Sequence, residues 1–266
     1  MATTGAERGV ENEAVERLAI IRRFEAAGFR AWPATSVQYD GTWAVRLTAS
    51  HPAKRLNSIN PLDPSDDRRL GERIALAARR FKAYGRPLTF RISPLAAPAI
   101  PAHLDAEGWT AFGRSKVMRL VLSEAALASA VDQIPLKDLN RFVSAAFEVH
   151  GYEAELRPGF TEVVSSIKAD TGLFVLEQND VSVSTAICVH DGALAGLFEV
   201  ATAREHRGKG FGKRMLLSAL KWAFTRGARI AWLQVEENNE AGLALYRALG
   251  FEEIYSYHYR RPGQEG

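Results

Sequence analysis

A glycine-rich segment, residues 202–213, restricts the folds open to this chain because it separates two different apolar patterns. Residues 192–201 form a nearly continuous apolar run that predicts a β-strand. In residues 213–226 the apolar side chains recur at helical spacing. The glycine-rich segment is therefore predicted to be a turn that joins a strand to the N-terminus of a helix.

Such a turn has the properties of an anion site. It exposes backbone N–H groups that the helix cannot pair with itself, at the positive end of the helix dipole. Gly208, Gly210 and Gly212 let the main chain approach a bulky anion without clashes from Cβ atoms. The nearby basic residues are Arg207, Lys209 and Lys213. The segment is therefore predicted to bind a phosphate group.

Two common phosphate motifs do not fit this segment. The order G-x-x-x-x-G-K-[ST] of the Walker loop is absent. The spacing R-x-x-G-x-G, which begins at Arg207, also differs from the G-x-G-x-x-G of dinucleotide-binding turns. The turn is therefore of another kind.

The residues after the turn carry a second motif. Residues 229–235 are a predicted strand, and the helical segment that begins at Asn239 contains Leu-Tyr and ends in Gly-Phe. This pair of segments resembles the GNAT acetyltransferase superfamily, in which R/Q-x-x-G-x-G/A holds the pyrophosphate of acetyl-CoA. The resemblance covers residues 173–259 strongly and the rest of the chain weakly.

The resemblance implies the acyl-CoA N-acyltransferase fold, an α+β fold with a mixed, mostly antiparallel central sheet flanked by helices. The strand at 229–236 is expected to run parallel to the strand that precedes the turn, in a strand–helix–strand crossover. Residues 254–260 alternate like a strand and are predicted to close the sheet. Near the start of the chain, residues 11–27 predict a helix that Gly28 ends.

The first part of the chain echoes the second, since each has a helix that ends in glycine and an aromatic residue before a strand. The first part lacks the R-x-x-G-x-G turn, and its equivalent helix has no tyrosine. We therefore predict a smaller, degenerate GNAT-like domain in residues 1–123, without a cofactor, and a GNAT acetyltransferase domain in residues 124–266. The alternative is an unrelated α+β extension before the second domain.

The resemblance also assigns the contacts of acetyl-CoA as cosubstrate. If the strand that ends at Thr202 splays from its neighbour at Leu233, free backbone groups can pair with an extended amide chain and serve as the oxyanion donor. Asn239 contacts the cosubstrate, caps its helix, or does both. The residues implied as contacts are Val200, Ala201, Thr202, Arg207, Gly208, Lys209, Gly210, Phe211, Gly212, Lys213 and Asn239.

Two residues are candidates for proton transfer. By resemblance, Tyr246 protonates the leaving thiolate, and its alternative role is that of a core tyrosine. Some relatives that acetylate protein N-termini have a glutamate where this chain has Gln234, which cannot accept a proton. Glu199 is therefore preferred as the base over Glu236, and either could be a surface carboxylate instead.

The acceptor is predicted only as an amine. In the resembling family the helices around residues 150–157 shape the acceptor site. Tyr152, Glu153 and Glu155 make a patch for an amine cation there, unless the loop is simply solvated. The function expected is transfer of an acetyl group from acetyl-CoA to a primary amine of a small molecule or peptide, by direct attack in a ternary complex. The alternatives are a non-catalytic acyl-CoA-binding or sensing module and a nucleotide-binding protein.

Composition limits the remaining classes. Basic and acidic residues, 34 against 31, give a net charge of +3 without a basic block interleaved with aromatics, so no nucleic-acid partner is expected. Cys188 is the only cysteine, which excludes an intrachain disulfide, and no residue spacing predicts a metal. No apolar leader or run of about 18 apolar residues occurs, so a cytoplasmic protein away from membranes is expected, as a monomer or weak homodimer.

Overall fold

The computed structural model describes residues 5–263, and side chains from residue 12 onward. The α-helices are α1 Gly5–Ala31, α2 Leu70–Ala83, α3 Ala99–Ala106, α4 Leu139–His150, α5 Arg157–Ser166, α6 Phe211–Thr225 and α7 Glu240–Ala248. The strands are β1 Ser36–Asp40, β2 Trp43–Leu47, β3 Ser58–Pro61, β4 Phe90–Ile92, β5 Thr110–Val121, β6 Asp170–Gln178, β7 Val181–Asp191, β8 Leu194–Thr202, β9 Ile230–Glu236 and β10 Glu252–Arg261. No helix in this described part is long and apolar enough to cross a membrane.

All ten strands form one mixed sheet in the order β1-β2-β3-β4-β10-β5-β9-β8-β7-β6. Each half of the chain has three antiparallel strands, a helix, a strand parallel to the third, a second helix and a final strand. The predicted crossover is confirmed, because β9 follows α6 in the chain and pairs in parallel with β8. The same order of elements is consistent with a repeat, and the division at residues 123/124 stays a prediction.

The final strands of the two halves are exchanged in the sheet. The last strand of the first half, β5, pairs with β9, whereas β10 lies between β4 and β5. The prediction that the last strand closes the sheet is wrong, since the edges are β1 and β6. Strand β10 buries Tyr255, Tyr257 and Tyr259 on one face, and the residues between them are also partly covered. A strand covered on both faces and both edges belongs to the interior of a sheet.

Helix α1 links the first half of the chain to the second. It continues past Gly28 to Ala31, so the predicted end of the helix at Gly28 is wrong. Gly28 instead faces Trp232 and Gln234, and a Cβ there would lie 3.5 Å from each side chain. The ring of Phe24 packs edge-on against Trp232 at 6.2 Å. Helix α1 therefore packs directly on β9 at Gly28 and Phe24.

Candidate active site

The site begins where β8 and β9 part. The two strands pair only from Leu194↔Ile230 to Leu197↔Leu233. Beyond that point β8 keeps its ladder with β7, and β9 keeps its ladder with β5. The predicted splay at Leu233 is thus confirmed, and it leaves one edge of the last residues of β8 without a neighbouring strand.

A β-bulge lies at the start of this free edge. Phe198 pairs with Ile187 and Ala201 pairs with Thr185, so two residues of β8 oppose one of β7. Glu199 in the bulge has φ 49°, a left-handed conformation that is unfavourable for a residue with a side chain. The strict alternation of side chains between the two faces of β8 is interrupted at this bulge. Bulges of this kind are common next to active sites, where they redirect a side chain.

The glycine-rich turn after β8 exposes its backbone amides. Gly208 and Gly210 have φ of 74° and 82°, and a Cβ built on either would meet no atom within 4 Å. The first bond of α6 runs from the N–H of Arg214 to the carbonyl of Gly210. Within residues 5–263, no backbone carbonyl accepts a hydrogen bond from the amides of residues 208–213. The turn therefore presents a row of free donors to open space, as a phosphate site requires.

The splay and the turn line one cavity of about 570 Å³. Every predicted contact residue of the cosubstrate lines it except Lys209, whose exposed side chain lies outside. The lining residues are His150, Val200, Ala201, Thr202, Arg207, Gly208, Gly210, Phe211, Gly212, Lys213, Asn239, Ala241, Gly242, Leu245 and Tyr246. The free amides and the volume fit a long ligand with a phosphate group at the turn.

Arg207 ties the turn to the strand. Its Nε donates a hydrogen bond to the carbonyl oxygen of Thr202 at 3.1 Å. Gly212, on the first turn of α6, approaches the same residue, since a Cβ there would lie 3.1 Å from the Thr202 hydroxyl. The turn and the end of β8 are therefore held together as one wall of the cavity.

Tyr246 on α7 lies in the wall of this cavity, with 8% of its surface exposed. Its ring packs edge-on against Phe251 at 5.9 Å. Burial raises the pKa of Tyr246 to about 12. The hydroxyl is therefore protonated at neutral pH and can act only as a proton donor. The tyrosine is both a core residue and a cavity residue, so the two predicted roles are compatible.

Asn239 begins α7 as a helix cap. Its side-chain oxygen accepts a hydrogen bond from the N–H of Gly242 at 2.9 Å, which confirms the predicted capping role. The side chain also lines the cavity. Its contact with the cosubstrate stays a prediction.

The carboxylate of Glu199 lies in a small polar cluster, with 11% of its side chain exposed. It accepts a hydrogen bond from the hydroxyl of Tyr152 at 2.8 Å. His150 stacks on Tyr152 with ring centroids 4.5 Å apart, and its Nε2 lies 3.8 Å from the carboxylate. Burial and the charge of Glu199 hold the pKa of Tyr152 well above its usual range. The cluster fixes the carboxylate in one place.

His150 connects this cluster to the cavity, because it contacts Glu199 and also lines the cavity. No feature of the sequence indicated this role. Of the predicted amine patch, Tyr152 reaches the cluster, whereas Glu153 and Glu155 are exposed to solvent. Of the three predicted residues, only Tyr152 is part of the site, through its hydrogen bond to Glu199.

Glu236, the other candidate base, lies at the end of β9. It is 50% exposed and forms an ion pair with Lys54, whose Nζ lies 2.9 Å from its carboxylate. Gln234, two residues earlier, accepts a hydrogen bond from the hydroxyl of Tyr257 at 2.8 Å. The geometry thus favours Glu199, whose carboxylate is largely buried and lies beside His150, a residue that lines the cavity.

The comparison with known families decides the identity of the second half. Residues 137–251 match the model of the acetyltransferase (GNAT) family. This domain belongs to the GNAT acetyltransferase family. The match contains the glycine-rich turn, α6, β9 and α7, which are the elements that line the cavity.

Relatives of known sequence include proteins named as N-acetyltransferases. The chain is 26% identical over 253 residues to the uncharacterized N-acetyltransferase YobR of Bacillus subtilis. That match covers 90% of this chain and 98% of YobR. It is also 34% identical over 80 residues to the ribosomal protein bS18-alanine N-acetyltransferase of Escherichia coli K12. That match spans 30% of this chain and 54% of the relative.

Solved structures confirm the predicted acyl-CoA N-acyltransferase fold. A GCN5-related N-acetyltransferase from Kribbella flavida aligns with a TM-score of 0.64 and 20% identity, over 91% of this chain and 95% of its own. A tandem GNAT protein from the clavulanic acid biosynthesis pathway aligns with a TM-score of 0.62 and 17% identity, over 91% and 88%. At these identities the likeness concerns the fold alone.

Proposed function

We propose that the protein transfers an acetyl group from acetyl-CoA to a primary amine of a small molecule or peptide, by direct attack in a ternary complex. The observation that carries this proposal is the single cavity that contains the free amides of the turn, the unpaired edge of β8 and Tyr246. A phosphate grip, an edge for an extended amide chain and a proton donor are the parts that acetyl transfer from a thioester needs.

The chain's own residues bind and orient the cosubstrate in this proposal. The amides of residues 208–213 hold the diphosphate, and the side chains of Arg207 and Lys213 add positive charge beside it. The backbone of Val200, Ala201 and Thr202 pairs with the extended amide chain, as an added strand pairs with a sheet edge. These contacts bring the acetyl end to the bulge at Glu199.

Acetyl-CoA supplies the activated acetyl group as a thioester. The carboxylate of Glu199 takes the proton that the amine nitrogen loses as the N–C bond forms. A backbone N–H at the bulge donates to the acetyl oxygen, where negative charge grows. The hydroxyl of Tyr246 gives its proton to the sulfur as the C–S bond breaks. Glu199 then releases the proton that it took from the amine, and water carries a proton back to Tyr246. The products are an amide and free coenzyme A.

The first half of the chain packs beside the point where β8 and β9 part. We propose that residues 1–123 are a degenerate GNAT-like domain that shapes the acceptor side. Three contacts support this role: Lys54 pairs with Glu236, Arg55 lies over the ring of Phe198 at 5.7 Å, and α1 packs on β9. The acceptor is thus enclosed by both halves of one chain.

Release of free thiol from acetyl-CoA in the presence of a panel of primary amines tests the proposal. We expect thiol release that depends on the amine and an acetylated product of matching mass. Tight binding of coenzyme A without turnover on any amine or peptide N-terminus would favour the sensing module instead. Stabilisation by ATP but not by coenzyme A would favour a nucleotide-binding protein.

A further inference from the structure

A second, small cavity lies between α1 and the sheet, and we call it the arginine cavity. Its walls include Glu25, Arg46, Arg55, Arg91, Phe198 and Gln234. Arg46 and Arg91 are 3% and 4% exposed. Glu25, also buried, is the only carboxylate among the residues that line it. Two buried guanidinium groups therefore line a cavity that contains one buried carboxylate.

That carboxylate is already used by other residues. One oxygen of Glu25 pairs with Arg91, and the other accepts a hydrogen bond from the hydroxyl of Tyr255. Arg46 donates only to backbone carbonyls, those of Trp32 and Arg55. Its Nε is buried and has no hydrogen-bond partner. Leaving a charged donor buried and unpaired is costly, so Arg46 lacks an anionic acceptor.

Arg55 stands where the arginine cavity opens. Its guanidinium is half-buried, and it also lines a neighbouring groove of about 160 Å³ with Lys54, Tyr257 and Gln234. Lys54 pairs with Glu236 and Arg91 pairs with Glu25, whereas Arg55 has no carboxylate partner in the part of the chain that the structure describes. Two arginines, one at the bottom and one at the mouth, are thus available to an anion.

The arginine cavity adjoins the candidate base. Phe198, one of its walls, directly precedes Glu199 in β8. Gln234, another wall, follows Leu233, the last residue of β9 that pairs with β8. The cavity therefore opens at the splay, on the side formed by the first half of the chain. The charges of Glu199 and Arg55 both act on Tyr152, so the cavity lies near the candidate base.

We propose that Arg55 and Arg46 bind a carboxylate of the acceptor, so that the acceptor is an amino acid or another small amine that carries a carboxylate. The part of this inference that makes the bound molecule the acceptor of the acetyl group rests on the proposed function. The carboxylate gives the Nε of Arg46 its acceptor and offsets the excess positive charge. The arginine cavity, about 10 Å³, has room for one oxygen atom and none for a phosphate group, while the groove holds the rest of the molecule.

Matched pairs of ligands test the carboxylate directly. Alanine, leucine and phenylalanine are each compared with their carboxamides by isothermal titration, with and without coenzyme A, and formate is tested as a minimal carboxylate at constant ionic strength. We expect at least one acid to bind at least about tenfold more tightly than its amide, as loss of a charged hydrogen bond predicts. In Arg55→Gln this preference falls to about twofold or less, and Arg55→Lys retains part of it.

The control is Arg79→Gln, an equal change of charge at an exposed position on α2, which should leave the preference unchanged. Equal binding of acids and amides, or no saturable binding of any acid or of formate, overturns the carboxylate site. If the amides were acetylated as fast as the acids, the carboxylate site would be overturned and the proposed acetyl transfer would be kept. Binding of acids through Arg55 without acetylation supports the site and contradicts the proposed function.

Discussion

Glu199→Gln is expected to lower kcat by about 10²- to 10⁴-fold, the usual contribution of a general base, and to leave the affinity for coenzyme A within about twofold. Glutamine keeps the size of the side chain and still offers an oxygen to the hydroxyl of Tyr152. It cannot take a proton from the amine. Steady-state kinetics at saturating amine, with titration of coenzyme A, measure the two quantities separately.

The pH dependence of the variant gives a second readout. In Glu199→Gln the proton that the amine nitrogen loses as the N–C bond forms must pass to a base in solution. The residual rate of Glu199→Gln should therefore rise with the hydroxide concentration, and the wild-type advantage should shrink as the pH rises.

Glu236→Gln is the matched control for Glu199→Gln. Glu236 is half-exposed and paired with Lys54 at the end of β9, so kcat should change by about twofold or less. If Glu236→Gln lost most of the activity and Glu199→Gln kept it, the assignment of the base would be reversed.

Tyr246→Phe is expected to lower kcat by about 10²-fold, the lower end of the range for proton transfer by a side chain. The change removes one oxygen from the wall of the cavity and keeps the ring on Phe251. With a pKa raised to about 12 by burial, Tyr246 retains its proton until charge develops on the sulfur. A thiolate in the same buried cavity is destabilised for the same reason, which makes the transfer feasible.

The leaving group distinguishes a proton donor from a packing residue. A thioester whose thiol is more acidic needs less protonation as it departs. The loss caused by Tyr246→Phe should therefore shrink with such a thioester. Tyr39→Phe, which removes a hydroxyl from an exposed tyrosine on β1, is the control and should not change kcat. A Tyr246→Phe loss that is independent of the thiol would show that the hydroxyl does not act as the proton donor.

The parts of the site that were predictable are those fixed by short segments of sequence. The turn at residues 208–213 depends on glycines that tolerate positive φ and on the helix that follows directly. Tyr246 and Asn239 lie on the next helix at fixed spacings from that turn. The turn and the start of the helix follow from neighbours within one tight loop, whereas Tyr246 and Asn239 were identified by a motif that resembles the GNAT superfamily.

The parts that were not predictable depend on pairing between distant segments. The alternation of β10 indicates a strand, but its place between β4 and β5 depends on the exchange of final strands between the halves. The bulge at Glu199 arises from the register of β8 on β7, and nothing in the residue itself favours a positive φ. Gly28 has a helical role because Trp232, which is distant in sequence, packs against it.

The buried arginines show the same limit in the first half. Arg46 lies in a segment that alternates like a strand, and the alternation does not indicate that a charged side chain would be fully enclosed. Its surroundings come from α1, β3 and β4 together, with Glu25 and Arg91 brought in from separate elements. Only the assembled sheet shows that the Nε of Arg46 has no acceptor.

Backbone amide hydrogen exchange with and without coenzyme A tests the central claim most directly, because it reports on the amides of the turn themselves. In the free protein the amides of residues 208–213 have no backbone carbonyl as partner and should exchange rapidly. On addition of saturating coenzyme A, exchange at these amides and at residues 200–202 is predicted to slow by at least about tenfold, while β1 to β3 stay unchanged. Saturable binding of coenzyme A with no protection at residues 208–213 would contradict the account.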